Sequence, residues 1–281
     1  MSARAYVRTY DGTSAGLMTA QTVKRVVYQS RASGYLLILF LILLWEVLPR
    51  SGIVYARYFP AFSTVMGALL EGIRSTEILR DTAISIYRAF CGYVLAIIIG
   101  VTLGTLTGAI RWVSDLLEIT IELLRPMPSV ALVPIAILLF GTSNSYNVSV
   151  ITFGCTWPIL VNTFEGARSV DTQWIDSAKV CGATRYDLLR KVIVPAALPY
   201  IVSGLRVSLA TSIIIVTVTE MLASFKGLGF FIMDTYNGYR VPQMYSGIIT
   251  VGLVGYGLNR LFMAVEGKFM AWHKGWTAKS V

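Results

Sequence analysis

The chain has 281 residues, 55% of them hydrophobic and 14% charged, with a formal net charge of +9 and a single histidine. Soluble domains carry about 25% charged residues. The apolar residues here come in long runs that do not alternate, so the class is an all-α polytopic membrane protein and not a β-barrel. One histidine, His273, excludes a His-rich metal site, and Cys91, Cys155 and Cys181 are odd in number and far apart, which excludes a disulfide framework.

Residues 1–33 are polar and carry Arg4, Arg8, Lys24, Arg25 and Arg31. They read as a cytosolic N-terminal segment with a short interfacial helix near Val23–Tyr28. No cleavable signal peptide is expected, because the first apolar run starts only at Gly34 and no small-residue cleavage site follows it. The first span covers about 34–49. Its sixteen residues reach about 24 Å at ~1.5 Å each, short of a ~30 Å hydrocarbon core, so Trp45 and Glu46 are expected at an interface.

Phe62, Val65, Met66, Leu69, Leu70 and Ile73 recur at helical spacing, with Ser63 or Thr64 near the start, predicting an amphipathic helix over 61–79 on the outer surface. The second span, about 83–109, contains Gly100, Gly104 and Gly108, a flat strip that lets another helix approach closely. The third apolar region, 115–140, is interrupted by Arg125-Pro126-Met127-Pro128 and again by Pro134, predicting a helix that starts at the cytosolic interface and bends before crossing. Glu122 and Arg125 share a face and are placed to pair. Residues 141–147 form an outer loop, and the fourth span follows at 148–166 with a kink near Trp157-Pro158. A polar stretch then runs to about 202. The fifth span is 203–223, an outer loop holds Gly227-Leu228-Gly229, the sixth span is 244–264, and 265–281 is a cytosolic tail.

Six spans put both termini on one side. That side then holds fourteen Lys and Arg, with Arg206 and Arg260 at its edge, against six on the other. The positive-inside rule therefore makes the termini and the polar stretch cytosolic. It also accounts for the positive charge without nucleic acid, for which no basic cluster argues. The transmembrane domain is thus expected over 34–264, in a bacterial cytoplasmic membrane. No internal repeat of the secondary-transporter kind is visible.

The polar stretch Asp176–Pro195 is a charged island between apolar runs. Asp171 or Thr172 can cap a helix through Val180, and Gly182 sits where a left-handed backbone angle costs least. Thr184 and Asp187 fit a capping box for a second helix from Arg185 to about Val192, which Pro195 limits. The product is helix, glycine turn, helix, with Asp176, Lys179, Arg185, Asp187, Arg190 and Lys191 on its exposed side.

Asp176-Ser177-Ala178, three residues, Gly182, and the closing Val192, Val194 and Pro195 resemble the E-A-A loop of ABC importer permeases. The first two letters depart conservatively and the spacing is kept. Glu122 through Pro128, Ala196-Ala197-Leu198-Pro199, Gly204-Leu205-Arg206, Glu220-Met221, Gly227-Leu228-Gly229-Phe230 and Trp272-His273 are similar to the nitrate/sulfonate/taurine branch, over roughly residues 58–275. The resemblance implies a type I importer permease fold and a homodimer of permeases. It also implies two ABC ATPase subunits, an extracytoplasmic solute-binding protein, and a small anion such as a sulfonate, taurine or nitrate as cargo. It implies that the loop over 172–195 docks on the ATPase through Asp176, Ser177, Ala178, Lys179, Gly182, Ala183, Thr184, Arg185 and Asp187. The sequence has no G-x-x-x-x-G-K-[ST] and no nucleophile–base set, so no enzyme activity and no cofactor is expected on this chain; ATP and Mg belong to the partner.

Five residues are candidates for the translocation path or gate: Glu220, Thr217, Ser212, Asn162 and Arg125. A carboxylate within the membrane costs ~2.5–3.5 kcal/mol on insertion scales, so Glu220 either serves the path or sits at the outer interface. Ser208, Thr211, Ser212 and Thr219 line a stripe suited to a pore or to helix–helix hydrogen bonds; Thr217 lies nearer the Glu220 side. Asn162 and Thr163 are further pore candidates. Arg88 and Arg125 are in-span cations that either attract an anion or snorkel to the interface. The competing reading is an ion-coupled secondary transporter or channel with no ATPase partner; an integral membrane enzyme fits the residue set least.

Overall fold

The computed structural model describes residues 20–269, with side chains from 34 to 268; the predictions for 1–19 and for the tail beyond 269 lie outside them. The elements are α1 (Ala20–Arg50), α2 (Phe62–Arg74), α3 (Glu77–Ala109), α4 (Arg111–Leu124), a 3-10 turn (Ser129–Leu132), α5 (Val133–Phe140), α6 (Asn144–Arg168), α7 (Thr172–Val180), α8 (Arg185–Leu188), a π turn (Leu189–Ile193), α9 (Val194–Ala223), α10 (Leu228–Asn237) and α11 (Val241–Phe269). No strand occurs among the described residues. The chain divides after Ser63 into two compact units.

In the first unit α1 is one unbroken helix, so the separate interfacial helix expected near Val23–Tyr28 does not exist as such. Trp45 and Glu46, predicted at an interface, anchor the returning chain. The Trp45 indole donates to the Pro60 carbonyl at 3.0 Å, and its ring packs 5.8 Å from Phe59 and 5.5 Å from Phe62. Glu46 accepts from the Ser63 amide and hydroxyl, each at 2.9 Å, and pairs with Arg50 at 2.5 Å.

The second unit is built on α3, α6 and α9. The predicted glycine strip of α3 faces α6: a Cβ at Gly100 would lie 2.8 Å from the Ile159 Cβ, and one at Gly108 2.6 Å from the Ala167 Cβ. Gly92 extends the strip, with Ile151 at 2.6 Å. Association of helices in lipid relies on such van der Waals contact, because burial against lipid tails supplies no hydrophobic drive. Around this seam Tyr93, Ala96, Tyr146, Ile151, Cys155, Ile159, Ile215 and Val216 form the core. Ser208 donates to the Cys155 carbonyl at 2.7 Å and the Cys155 thiol lies 3.4 Å from the Ser208 carbonyl, joining α6 to α9.

Several boundaries differ from the sequence reading. The amphipathic helix predicted over 61–79 ends at Arg74, because Thr76 adopts a left-handed φ of 62° and starts α3. The outer loop predicted over 141–147 shrinks to three residues, since Ser143 caps α6 by accepting from the Ser145 amide. The expected bend is real: α4 and the segment Ser129–Phe140 meet at 86° across the Arg125–Pro128 break. Pro134, however, lies in the first turn of α5, where its missing N–H is no loss. The Glu122–Arg125 pair does not form among the described residues; both side chains are exposed. The loop after the fifth span contains the helix α10, which the short G-L-G signal concealed.

Among the described residues three helices are long and apolar enough to cross a membrane, Glu77–Ala109, Arg185–Ala223 and Val241–Lys268, or four counting the bent pair. The helix α6 is not among them, for a physical reason. Several of its polar residues, Asn147, Thr156 and Thr163, are buried against neighbouring helices, so its composition is set by packing and not by lipid.

Candidate functional site

The polar stretch folds as a helix, a glycine turn and a helix. The Asp171 carboxylate accepts from the Gln173 amide at 2.9 Å and opens α7. At its far end the Gly182 amide reaches the Lys179 carbonyl at 2.9 Å and the Ala183 amide reaches the Ala178 carbonyl at 3.0 Å. This is a Schellman ending, with Gly182 at φ 80° as its left-handed residue. Thr184 and Asp187 then make the full capping box of α8. Lys191, and after it the Thr184 hydroxyl and amide, hold the Asp187 carboxyl down to about 2. Lys179 and Asp176 pair at 2.9 Å.

This segment departs from the sequence reading at Pro195. The second helix does not end there: a π turn over Leu189–Ile193, with the Val194 amide on the Leu189 carbonyl, carries it directly into α9. The wider i→i+5 turn lets the helix pass a residue that has no N–H to donate. Asp176, Lys179, Arg185, Arg190 and Lys191 are exposed as expected and Asp187 is half-buried. The sequence reading missed the apolar part of this surface: Trp174, Tyr186 and Val180, the last 90% exposed. Large apolar groups at such exposure mark contact surfaces when they cluster.

The translocation candidates do not converge. Arg125 borders a cavity of about 250 Å³ with Glu118, Glu122, Glu165 and Arg168. Ser212 is buried beside an apolar cavity of about 230 Å³, with its hydroxyl on the Leu209 carbonyl. Thr217 bonds the Ile213 carbonyl and Asn162 the Pro158 carbonyl, each at 2.8 Å within its own helix. Thr163 is fully buried, and its hydroxyl has no partner among the described residues. In the serine–threonine stripe, Ser208, Ser212 and Thr219 face inward while Thr211 lies outside.

Glu220 sits in a closed polar cluster. Its side chain is 0% exposed and pairs with Arg88, 6% exposed, at 2.9 Å. Ser85 donates to its second oxygen at 2.7 Å, as does the Gly229 amide at 3.0 Å. The Leu228 amide donates to the Ser85 hydroxyl at 2.8 Å and the Gly227 amide to Asp81 at 3.0 Å. Three successive amides opening α10, which have no partners within their own helix, are thus taken by side chains of α3 and α9. Arg88 also donates to Asn144 and to the Lys226 carbonyl, each at 2.8 Å. The Arg88 guanidinium is therefore turned inward onto Glu220 and does not reach out along the helix, and Glu220 is enclosed by protein on all sides. A Cβ on Gly229 would lie 2.7 Å from the Glu220 Cβ, so the G-L-G sequence is what lets the carboxylate meet the helix start. Asp81, Ser85 and Arg88 stand at i, i+4 and i+7 of α3; that one-sided polar stripe was the available signal.

Long apolar helices and a bent span, with an exposed helix–turn–helix joined directly to one of the long helices, mark a multi-pass membrane protein. The chain belongs to the family of binding-protein-dependent transport system inner membrane components, whose profile matches residues 92–269; it is a permease subunit of an ABC importer. It is 32% identical over 86% of its length to a Bacillus subtilis protein named as the aliphatic sulfonates transport permease protein SsuC, covering 88% of that protein. To the bicarbonate transport system permease protein CmpB of Synechococcus elongatus it is 34% identical over 72% of its length and 70% of that protein's. It is 36% identical to the nitrate import permease protein NrtB of Leptolyngbya laminosa, over 64% of each chain. A chain of the inward-facing MetNI methionine ABC transporter shares the fold, with TM-score 0.57 at 21% identity, over 68% of this chain and 97% of that one.

Proposed function

We propose that this permease works as a homodimer with two ABC ATPases on its cytosolic face and a solute-binding protein outside. The cargo is a small oxyanion of the sulfonate, nitrate or bicarbonate kind. The relatives named for those three anions support the cargo class. The docking surface is the segment 172–195, through Asp176, Ser177, Ala178, Lys179, Gly182, Ala183, Thr184, Arg185 and Asp187, with Trp174, Val180 and Tyr186 as its apolar contacts. The single observation that carries this reading is a capped, exposed helix–glycine–helix with 90% exposure at Val180, in a chain of a family that is named for binding-protein-dependent transport. ATP and Mg act on the partner ATPase, and this chain contributes no catalytic group. The topology in this reading has six spans over 34–264 in a bacterial cytoplasmic membrane, with a cytosolic segment 1–33 and a cytosolic tail 265–281. Arg125, Asn162, Ser212, Thr217 and Glu220 are the polar groups of the membrane domain to be tested along the path.

The test is co-purification. Gly182 has open space around its Cβ position but a φ of 80°, so Gly182→Trp is strained and adds bulk at the turn. The variant is expected to reach the membrane at wild-type level and to lose the ATPase partner. An ATPase that stays bound to Gly182→Trp and to Asp176→Lys would refute the docking role.

A further inference from the structure

The cluster around Glu220 connects to the docking turn through one element. The helix that begins at Arg185, in the turn, continues through the π segment to Ala223 without a break, 39 residues in all. At ~1.5 Å per residue that is about 58 Å of helix along its path. The docking turn is at one end and Glu220 is in the last turn of the other. At that end the first three amides of α10 are held by Asp81, Ser85 and Glu220. Leu228 and Phe231, on the N-terminal half of α10, pack with Leu69 and Ile78. Its C-terminal end is exposed: Tyr236, Asn237, Gly238 and Tyr239, the last at a left-handed φ of 54°.

We infer that Arg88 and Glu220 are positioning residues of transport, which fix α10 in register on the far end of this continuous helix so that α10 follows the docking turn. A buried ion pair is a poor choice for stability alone, since well-packed apolar residues of the same volume often serve as well or better. What it supplies is direction. The Arg88 guanidinium, the Ser85 hydroxyl and the Gly229 amide fix the carboxylate in one orientation between α3, α9 and α10. An apolar contact there would let α10 slide. The inference rests on the proposal that residues 172–195 dock an ATPase, and the experiment separates the two.

The complex is reconstituted with its ATPase and binding protein. ATP hydrolysis is measured with and without the binding protein loaded with an alkanesulfonate, nitrate or bicarbonate, using whichever of the three stimulates wild type. Glu220→Gln keeps the shape of the side chain and removes its charge. The double variant Arg88→Gln/Glu220→Gln leaves no unpaired charge of the pair in the cluster. Both are expected to retain the ATPase on purification, while stimulation by the loaded binding protein falls about fivefold or more, in the range of ordinary coupling between sites. Stimulation equal to wild type in the double variant would overturn the inference. So would failure of the double variant to assemble, since the pair would then be a fold staple. Loss of the ATPase from wild type or its retention by Gly182→Trp would instead count against the docking proposal.

Discussion

Glycine and glutamate define each other's places in this protein. Gly227 and Gly229 leave room for the Glu220 carboxylate, and Glu220 in turn accepts the Gly229 amide. A methyl group at Gly229 meets the Glu220 Cβ at 2.7 Å and the Met221 amide nitrogen at 3.0 Å. Neither is the free end of a flexible chain, so the backbone must shift. Gly229→Ala is expected to destabilise by about 1–3 kcal/mol, the usual cost of overpacking, seen as a lower unfolding temperature in detergent. Gly252 on α11 has nothing within 4 Å of its Cβ position, and Gly252→Ala should leave that temperature unchanged or raise it, because alanine favours the helix. The cost of an intramembrane carboxylate pointed to Glu220 from the sequence. Its partner was not legible, since Arg88 lies 132 positions away, and no spacing rule reaches that far.

At the scale of elements, local chemistry was legible and long-range packing was not. The Asp171 cap, the left-handed Gly182 and the Thr184–Asp187 box form as their side chains dictate, because each bond closes within five residues. Thr184→Ala removes the acceptor of the Asp187 amide. That amide is expected to exchange with solvent roughly fivefold faster, as loss of an ordinary N-cap implies, with no change in amides of α6. The π turn was hidden because proline reads as a stop signal; the helix survives Pro195 by widening one turn ahead of it. The helix α10 was hidden because ten residues that follow Gly227 and hold Gly229 in their first turn resemble a loop until Asp81, Ser85 and Glu220 take the opening amides.

For the whole molecule, the lateral arrangement and the topology make separate claims. Cys181 is exposed in the turn beside Gly182, Cys91 is half-buried and Cys155 is buried. If the turn faces the cytosol, a membrane-impermeant maleimide should label Cys181 in inverted vesicles and not in intact cells, and Cys181→Ser should abolish that labelling. Labelling of Cys181 in intact cells would reverse the topology. The six-span reading came from hydropathy with charge asymmetry, and α6 shows where hydropathy alone gives out. A helix surrounded by other helices is free to carry Asn147 and Thr163, which lowers its hydropathy below that of the three long apolar helices.

By itself, the sequence determined the membrane class, the bent third span, the glycine seam and the capped polar segment with its family resemblance. These rest on composition, on proline and glycine backbone limits, and on hydrogen bonds between residues a few positions apart. Only the tertiary structure decided what the glycines of α3 touch, that the helix after the Gly182 turn runs on into α9, and that Glu220 is neither exposed nor alone. Those facts depend on which helices lie side by side, which is settled by the sum of many weak contacts and has no short-range signature.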